Sequence, residues 1–245
     1  MARFKSILEI ANQVSIEVGL GVQTAPFAAS NDSGVQLTTL ANAVGVELLQ
    51  DHPWEGLTRK YSLTTQAGDS GKYDLPSDFA YMINQTGWDQ SNRIPLQGSL
   101  SPQDWTYLEG RDLVSHTIYA SFRQNENQFW LFPQPPPENL NITFEYVSRN
   151  WVMTAAGSDI YTNTVTENGN IVMYEPHLFE RLLKLRFLEA RGFDTTAALS
   201  QYTKAFMSWT GKDTSAQILN AGNSTRSAPY LDTYRNTPDT GFGQP

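Results

Sequence analysis

The most regular pattern in the sequence is the alternation of residues 140–148, LNITFEYVS. Apolar and polar residues take turns along it: Leu140, Ile142, Phe144 and Tyr146 are apolar, and Asn141, Thr143 and Glu145 are polar. Because successive side chains of a strand point to opposite faces, this period of two predicts an antiparallel strand with one buried face and one face in solvent. The middle of the chain is therefore expected to contain a β-sheet.

Shorter strand patterns surround this segment. Four stretches are rich in β-branched and aromatic residues: 60–66 (KYSLTTQ), 71–75 (GKYDL), 117–123 (TIYASFR) and 128–132 (QFWLF). The first two are predicted to flank a hairpin turn at Gly68-Asp69-Ser70-Gly71, since Gly and Asp favour the backbone angles of turns. The last two are predicted to pair with each other across residues 124–127.

Helical periodicity appears on both sides of the β-rich region. Apolar residues recur every three or four positions in four segments, namely 4–18, 32–51, 176–191 and 196–209. Glycines follow the first and third of these segments, and Asp51-His52-Pro53 ends the second. A short additional helix is predicted to start at Pro102 with Ser101 as its N-cap.

We therefore predict an α+β fold in which N- and C-terminal helices form one helical bundle and an antiparallel β-rich insertion lies between them. The predicted boundaries are residues 1–52 and 173–220 for the two parts of the helical core, 53–172 for the insertion and 221–245 for an extended C-terminal arm. The arm has no periodicity, and its candidate apolar anchors are few: Tyr230, Leu231, Tyr234 and Phe242. Such a segment cannot bury enough surface to order itself, and it is suited to binding a partner.

Composition excludes several classes of function. The chain has no cysteine and only three histidines, so a disulfide framework, a thiolate zinc site and a thiol nucleophile are excluded. Its 25 acidic and 17 basic residues give a net charge of −8, which argues against a general nucleic-acid binder. No apolar run approaches the ~18 residues of a membrane span, and no signal peptide is evident, so we expect a soluble protein made in a cytoplasm.

Candidate catalytic motifs are weak. Gly68-Asp69-Ser70-Gly71 resembles the nucleophile segment of trypsin-like proteases over four residues only, with Lys72 where that family has glycine and His52 as the upstream histidine. His177 and Glu180 lie three apart on a predicted helix, which suits a surface pair better than a metal site. Acidic residues beside aromatic or turn residues offer carboxylate pairs for a glycosidase, but turn capping explains them first: Asp74, Asp78, Asp89 and Asp104. We expect no catalytic site, metal or cofactor.

One predicted helix carries a basic cluster: Arg181, Lys184, Arg186 and Arg191. Glu180 and Glu189 dilute its charge, and Glu180 is spaced to pair with Lys184. A solvated helix face is the favoured interpretation, and contact with DNA or with the partner of the arm is the alternative.

Seven segments, in this order and spacing, carry a family resemblance: 73–79 (YDLPSDF), 86–89 (TGWD), 92–96 (NRIPL), 101–105 (SPQDW), 129–135 (FWLFPQP), 144–151 (FEYVSRNW) and 175–193. Together they resemble the head-to-tail adaptor (connector, head-completion) proteins of tailed bacteriophages, over most of residues 1–220. The resemblance implies a helical core with a β-rich insertion, in agreement with the periodicity. It also implies that the protein is structural and not an enzyme.

That family resemblance implies a place and a set of partners. Adaptor subunits form a ring, usually a dodecamer, in the neck of the virion beneath the portal, and the ring extends the DNA channel and offers a platform for the tail. The arm is then expected to grip the portal protein, the insertion to meet tail or nozzle proteins, and viral DNA to pass without sequence-specific binding. The resemblance also implies that the protein is assembled in the host cytoplasm and does not contact a membrane. The alternatives are a tail-tube or stopper protein of the same neck region, or a peptidoglycan-degrading glycosidase carried in the virion.

Overall fold

A computed structural model describes residues 4–22, 32–110 and 121–213 of the chain. Within these ranges the helices are α1 (Ile7–Glu17), α2 (Asp32–Asp51), α3 (Pro102–Gly110), α4 (Pro176–Ala190) and α5 (Thr196–Asp213), with a 3-10 turn at Glu55–Leu57. The strands are β1 (Thr58–Thr64), β2 (Lys72–Asp74), β3 (Phe79–Met82), β4 (Trp88–Asp89), β5 (Ile94–Pro95), β6 (Ser121–Asn125), β7 (Gln128–Phe132), β8 (Asn141–Ser148), β9 (Val152–Met153), β10 (Tyr161–Thr162) and β11 (Ile171–Val172). Helical ends and a β-rich middle confirm the predicted α+β class.

Local sequence signals set the helix ends. Ser6 and Glu9 form a capping box at the start of α1, each side chain binding the backbone N–H of the other residue. The predicted cap of α3 is present, because the hydroxyl of Ser101 accepts a hydrogen bond from the backbone of Asp104. Helix α4 starts at Pro176, whose missing N–H costs nothing in the first turn.

Helix α4 forms the centre of the helical part and packs against α1, α2 and α5. Its apolar side chains are buried around most of its circumference, which a helix needs when it has neighbours on several sides. Helices from both ends of the chain therefore share one core, as the periodicity predicts. Trp54, Val147, Trp151 and Val172 also belong to this core, although they lie within residues 53–172 of the predicted insertion.

The longest strand, β8, lies at the centre of a five-stranded antiparallel sheet. It pairs with β1 along one edge, in register Tyr61 to Phe144, and with β3 and β4 along the other edge, with β5 beyond β4. A second sheet has the order β2-β7-β6, in which β6 and β7 form the predicted hairpin. Strands β10, β9 and β11 form a small third sheet next to the helical core.

Two details of the sequence prediction are wrong. Residues 68–71 do not close a hairpin, because β1 pairs with β8 and β2 pairs with β7, so this turn connects two different sheets. Strand β8 is not half-buried throughout: Thr143 and Val147, on the face predicted to be in solvent, are 4% and 0% exposed. Val147 packs into the helical core, while Ile142 and Phe144 pack into the separate core of the β-rich region. The strand thus joins the two cores.

Candidate functional site

Three of the four basic residues predicted on one helix lie on α4, and Arg191 is its C-cap residue. Two of the three pair with α1. Arg181 Nη1 lies 3.1 Å and Lys184 Nζ 2.9 Å from the same oxygen, Glu17 Oε2. The predicted pair of Glu180 and Lys184 is wrong, because Glu180 accepts a hydrogen bond of 2.9 Å from Lys5 instead. Glu17 of α1 therefore offsets part of the positive charge at this part of α4, and Lys5, just before α1, pairs with Glu180.

Burial alone would raise the pKa of Glu17, but its surroundings reverse the direction. Hydrogen bonds from Lys184 and Gln13, together with the charges of Lys184 and Arg181, hold the pKa of Glu17 below its ordinary value. The carboxylate is thus ionised throughout the neutral range, and it connects α1 to α4.

The other two basic residues, Arg186 on α4 and Arg191 just after it, have different surroundings. The guanidinium of Arg186 binds both Glu47 of α2 and Glu189, and these hydrogen bonds raise the pKa of Arg186 further above its already high value. The guanidinium carbon of Arg191 lies 5.3 Å from the ring centre of Phe187. Among the described residues, no carboxylate lies within ion-pair distance of Arg191, so its charge is the least neutralised of the four.

The carboxylates considered for a glycosidase are engaged in local structure. Asp78 accepts hydrogen bonds from Tyr146 and Ser148, at 2.9 and 2.6 Å. Asp89 accepts three hydrogen bonds from the turn that follows it, two of them from backbone N–H groups. Asp104 and Asp74 accept hydrogen bonds from Ser101 and Gln128. Turn capping and cross-strand contacts therefore account for all four positions.

The other motifs also have structural partners. Asp69 accepts hydrogen bonds from the Tyr73 hydroxyl and from the backbone of Gln66, which stabilise the turn at residues 68–71. His52 packs edge-on against Trp54 and lies 3.3 Å from Asp213, so the structure pairs it with α5 and not with Ser70.

No group of three or more His, Cys, Asp or Glu side chains in the described ranges is arranged to hold a metal ion. No helix within those ranges has both the length and the apolar character to cross a membrane.

The cleft at the end of α5, which we call the α5 cleft, escaped sequence analysis. It has a volume of about 460 Å³, and its walls include Trp54, Tyr174 and Trp209 with Glu55, Glu175 and Lys212 at the polar positions. These residues come from three distant stretches of the chain. Only the folded bundle brings them together, so no local pattern could have indicated the cleft.

The four apolar anchors of the predicted arm, Tyr230, Leu231, Tyr234 and Phe242, lie outside the described residues. Helix α5 ends at Asp213, on the wall of the α5 cleft, so the chain continues toward these anchors from the helical core.

Comparison with known proteins identifies the family of this chain. No curated protein matches the sequence significantly. The model of the SU10 adaptor protein family matches residues 6–238, which include all five helices, all the strands and most of the predicted arm. Since this match covers nearly the whole chain, the protein belongs to the SU10 adaptor protein family, whose members are structural adaptor proteins of phages.

Proposed function

We propose that this protein is a head-to-tail adaptor whose copies form a ring, of dodecameric size, beneath the portal of a tailed phage. The observation that carries the proposal is the adaptor family match over residues 6–238. In this role the protein acts by contact with neighbours and not by chemical conversion of a substrate. The ring would extend the DNA channel in the virion neck and support the tail.

The end of α5 supports different partners for the two parts of a subunit. Helices α1, α4 and α5 share one core, so the segment after Asp213 starts from the helical part of the molecule. Residues 221–245 reach at most ~80 Å when extended. We infer that this arm leaves the helical core and grips the portal protein through Tyr230, Leu231, Tyr234 and Phe242.

The β-rich region is then free to contact a partner other than the portal protein. It has its own hydrophobic core, built around Ile142, Phe144 and Phe129, and its sheets present polar side chains on their outer surfaces. Strand β8 connects it to the helical core through Val147. We infer that this region contacts tail or nozzle proteins while the helical core and the arm contact the portal protein.

The charge of the subunit suits passage of DNA. At −8 per copy, a ring of identical subunits is strongly acidic. Since affinity for phosphates comes from Lys and Arg, such a wall lets DNA slide without adhering. Ion pairs on α4 leave less positive charge to bind DNA, because Arg181, Lys184 and Arg186 each contact a carboxylate. Arg191, which follows α4, is the basic residue of this cluster best able to contact DNA or the portal protein.

The proposal is tested by co-sedimentation of the full-length protein with purified portal rings. We expect binding by the wild type and loss of binding when residues 221–245 are deleted. A variant with the same 25 residues in scrambled order keeps length and charge, and it should also fail to bind. Binding to preassembled adaptor rings but not to portal rings would contradict the proposal and would indicate a tail-tube or stopper protein.

A further inference from the structure

The α5 cleft combines aromatic walls with acidic groups. Trp54 packs edge-on against Tyr174, with ring centres 6.0 Å apart, and both rings are almost fully buried, which makes this part of the wall rigid. Trp209, on the last turns of α5, is only partly buried and forms another part of the wall. The cleft is larger than one amino-acid side chain, at about 460 Å³.

Two carboxylates at the cleft lack partners. Asp213 is engaged, since its Oδ2 accepts a hydrogen bond of 3.0 Å from the backbone of Glu55 and lies 3.3 Å from His52 Nε2. Within the described ranges, no hydrogen bond or ion pair involves the side-chain carboxylate of Glu55 or of Glu175. Glu175 is the N-cap residue of α4, and its side chain makes no capping hydrogen bond. Both carboxylates are therefore available to a cationic group.

The cleft already holds one cation against its aromatic wall. Lys212 Nζ lies 4.4 Å from the ring centre of Trp209, within the range of a cation–π interaction. Three carboxylates and one ammonium leave an excess of negative charge along the walls. Long basic side chains suit such a site, because the aliphatic stem packs on aromatic rings while the charged head reaches a carboxylate.

We propose that the α5 cleft binds a lysine or arginine side chain of the protein that the C-terminal arm binds. Helix α5 runs toward the arm, and its last residue, Asp213, lies on the wall of this cleft, so a partner held by the arm is within reach of the cleft. Glu55 and Glu175 would bind the charged head, and Trp54 and Trp209 would contact the stem. That the partner is the portal protein rests on the proposed function. That the α5 cleft binds a basic side chain does not depend on it.

The chemistry is tested on the isolated subunit with a probe of known structure. The probe is N-acetyl-arginine amide, and its control is N-acetyl-citrulline amide, which has the same shape and no charge. Binding is followed by NMR through the indole N–H signals of Trp54 and Trp209. We expect saturable shifts with a dissociation constant in the millimolar range for the arginine probe and none for citrulline.

Two double variants test whether Glu55 and Glu175 bind the arginine probe. Glu55→Gln with Glu175→Gln should weaken binding at least about fivefold, because each removed charge is worth on the order of 0.5 kcal/mol at a partly exposed site. The matched control is Glu126→Gln with Glu138→Gln, which changes the charge equally at exposed positions of the β-rich region. The absence of saturable shifts, or equal weakening by both double variants, would overturn the proposal.

The segment of the same chain after α5 is the competing occupant, since it contains Arg226 and Arg235. If those residues filled the cleft, deletion of 221–245 would strengthen binding of the probe, and that result would also overturn the proposal. Unchanged binding by the deletion variant supports it. These measurements use no portal protein, so they remain decisive even if co-sedimentation with portal rings fails and the proposed function is wrong.

Discussion

The contact between Gly45 of α2 and Trp151 holds the helical core against the chain that leaves β8. A Cβ atom added at Gly45 would lie closer than 3.0 Å to three atoms of the Trp151 ring system. That ring cannot move aside easily, because it is fully buried and packs against both Tyr174 and Phe179, with ring centres 5.7 and 5.8 Å away. The Tyr174 hydroxyl also donates a hydrogen bond of 2.8 Å to the carbonyl of Gly45. The Gly45→Ala substitution therefore overfills a closed site.

Two effects of opposite sign determine how much Gly45→Ala changes the free energy of unfolding. Alanine in place of glycine within a helix stabilises by about 0.5–1 kcal/mol. Overpacking of a core costs about 1–3 kcal/mol, and the upper end applies here because Trp151 is fully buried and packs against two further buried aromatic rings. We predict a net loss of about 2 kcal/mol in the free energy of unfolding, which corresponds to a drop of about 4–8 °C in Tm for a chain of this size.

The assay is urea denaturation followed by circular dichroism. The matched control is Gly211→Ala in α5, where an added Cβ meets nothing within 4 Å, so it should stabilise by about 0.5 kcal/mol. In a Trp151→Phe background, the penalty of Gly45→Ala should shrink, because the smaller ring leaves room. A Gly45→Ala variant as stable as the wild type would refute the reasoning.

Three further predictions concern capping, an ion pair and a tyrosine. Ser101→Ala should lower the unfolding free energy by about 1 kcal/mol through loss of the α3 cap, and Ser101→Thr, which keeps the hydroxyl, should restore most of it in the same urea assay. Glu17→Gln should destabilise by about 0.5–1 kcal/mol at neutral pH. Because the pKa of Glu17 is lowered by folding, this cost should disappear as the pH falls below 4.5 and through the folded-state pKa, and a cost that grows on acidification would contradict it. Tyr146→Phe should cost about 1 kcal/mol by removing the hydrogen bond to Asp78. Burial and then that hydrogen bond raise the pKa of Tyr146 to about 12, so wild-type stability should fall between pH 10 and 12, and the variant should show less of this fall.

Features that depend on local pattern could be predicted from the sequence. The periodicity of α1 and α2 indicates which face of each helix is buried, and the observed buried residues largely follow it. In α4 the periodicity predicts the helix, but burial extends around most of its circumference. The β6–β7 hairpin follows from two strand patterns separated by a short loop. Such signals lie within a few residues of one another, so no knowledge of the tertiary structure is needed to recognise them.

Features that depend on distant partners could not be predicted. Tyr61 pairs with Phe144, more than 80 positions away, and nothing in the sequence around residues 68–71 shows that β1 and β2 belong to different sheets. Alternation in β8 predicts one buried face, but the helical core covers Val147 on the other. The basic residues of α4 form a cluster in the sequence, whereas their neutralisation by Glu17 and Glu47 depends on how α1 and α2 pack.

The most direct test of the central claim is cryo-electron microscopy of the protein mixed with portal rings. The account predicts a closed ring of identical subunits coaxial with the portal, in which the helical core and residues 221–245 face the portal protein and the β-rich region points away from it. Subunits that attach singly, an open arrangement without a central channel, or attachment through the β-rich region would contradict it.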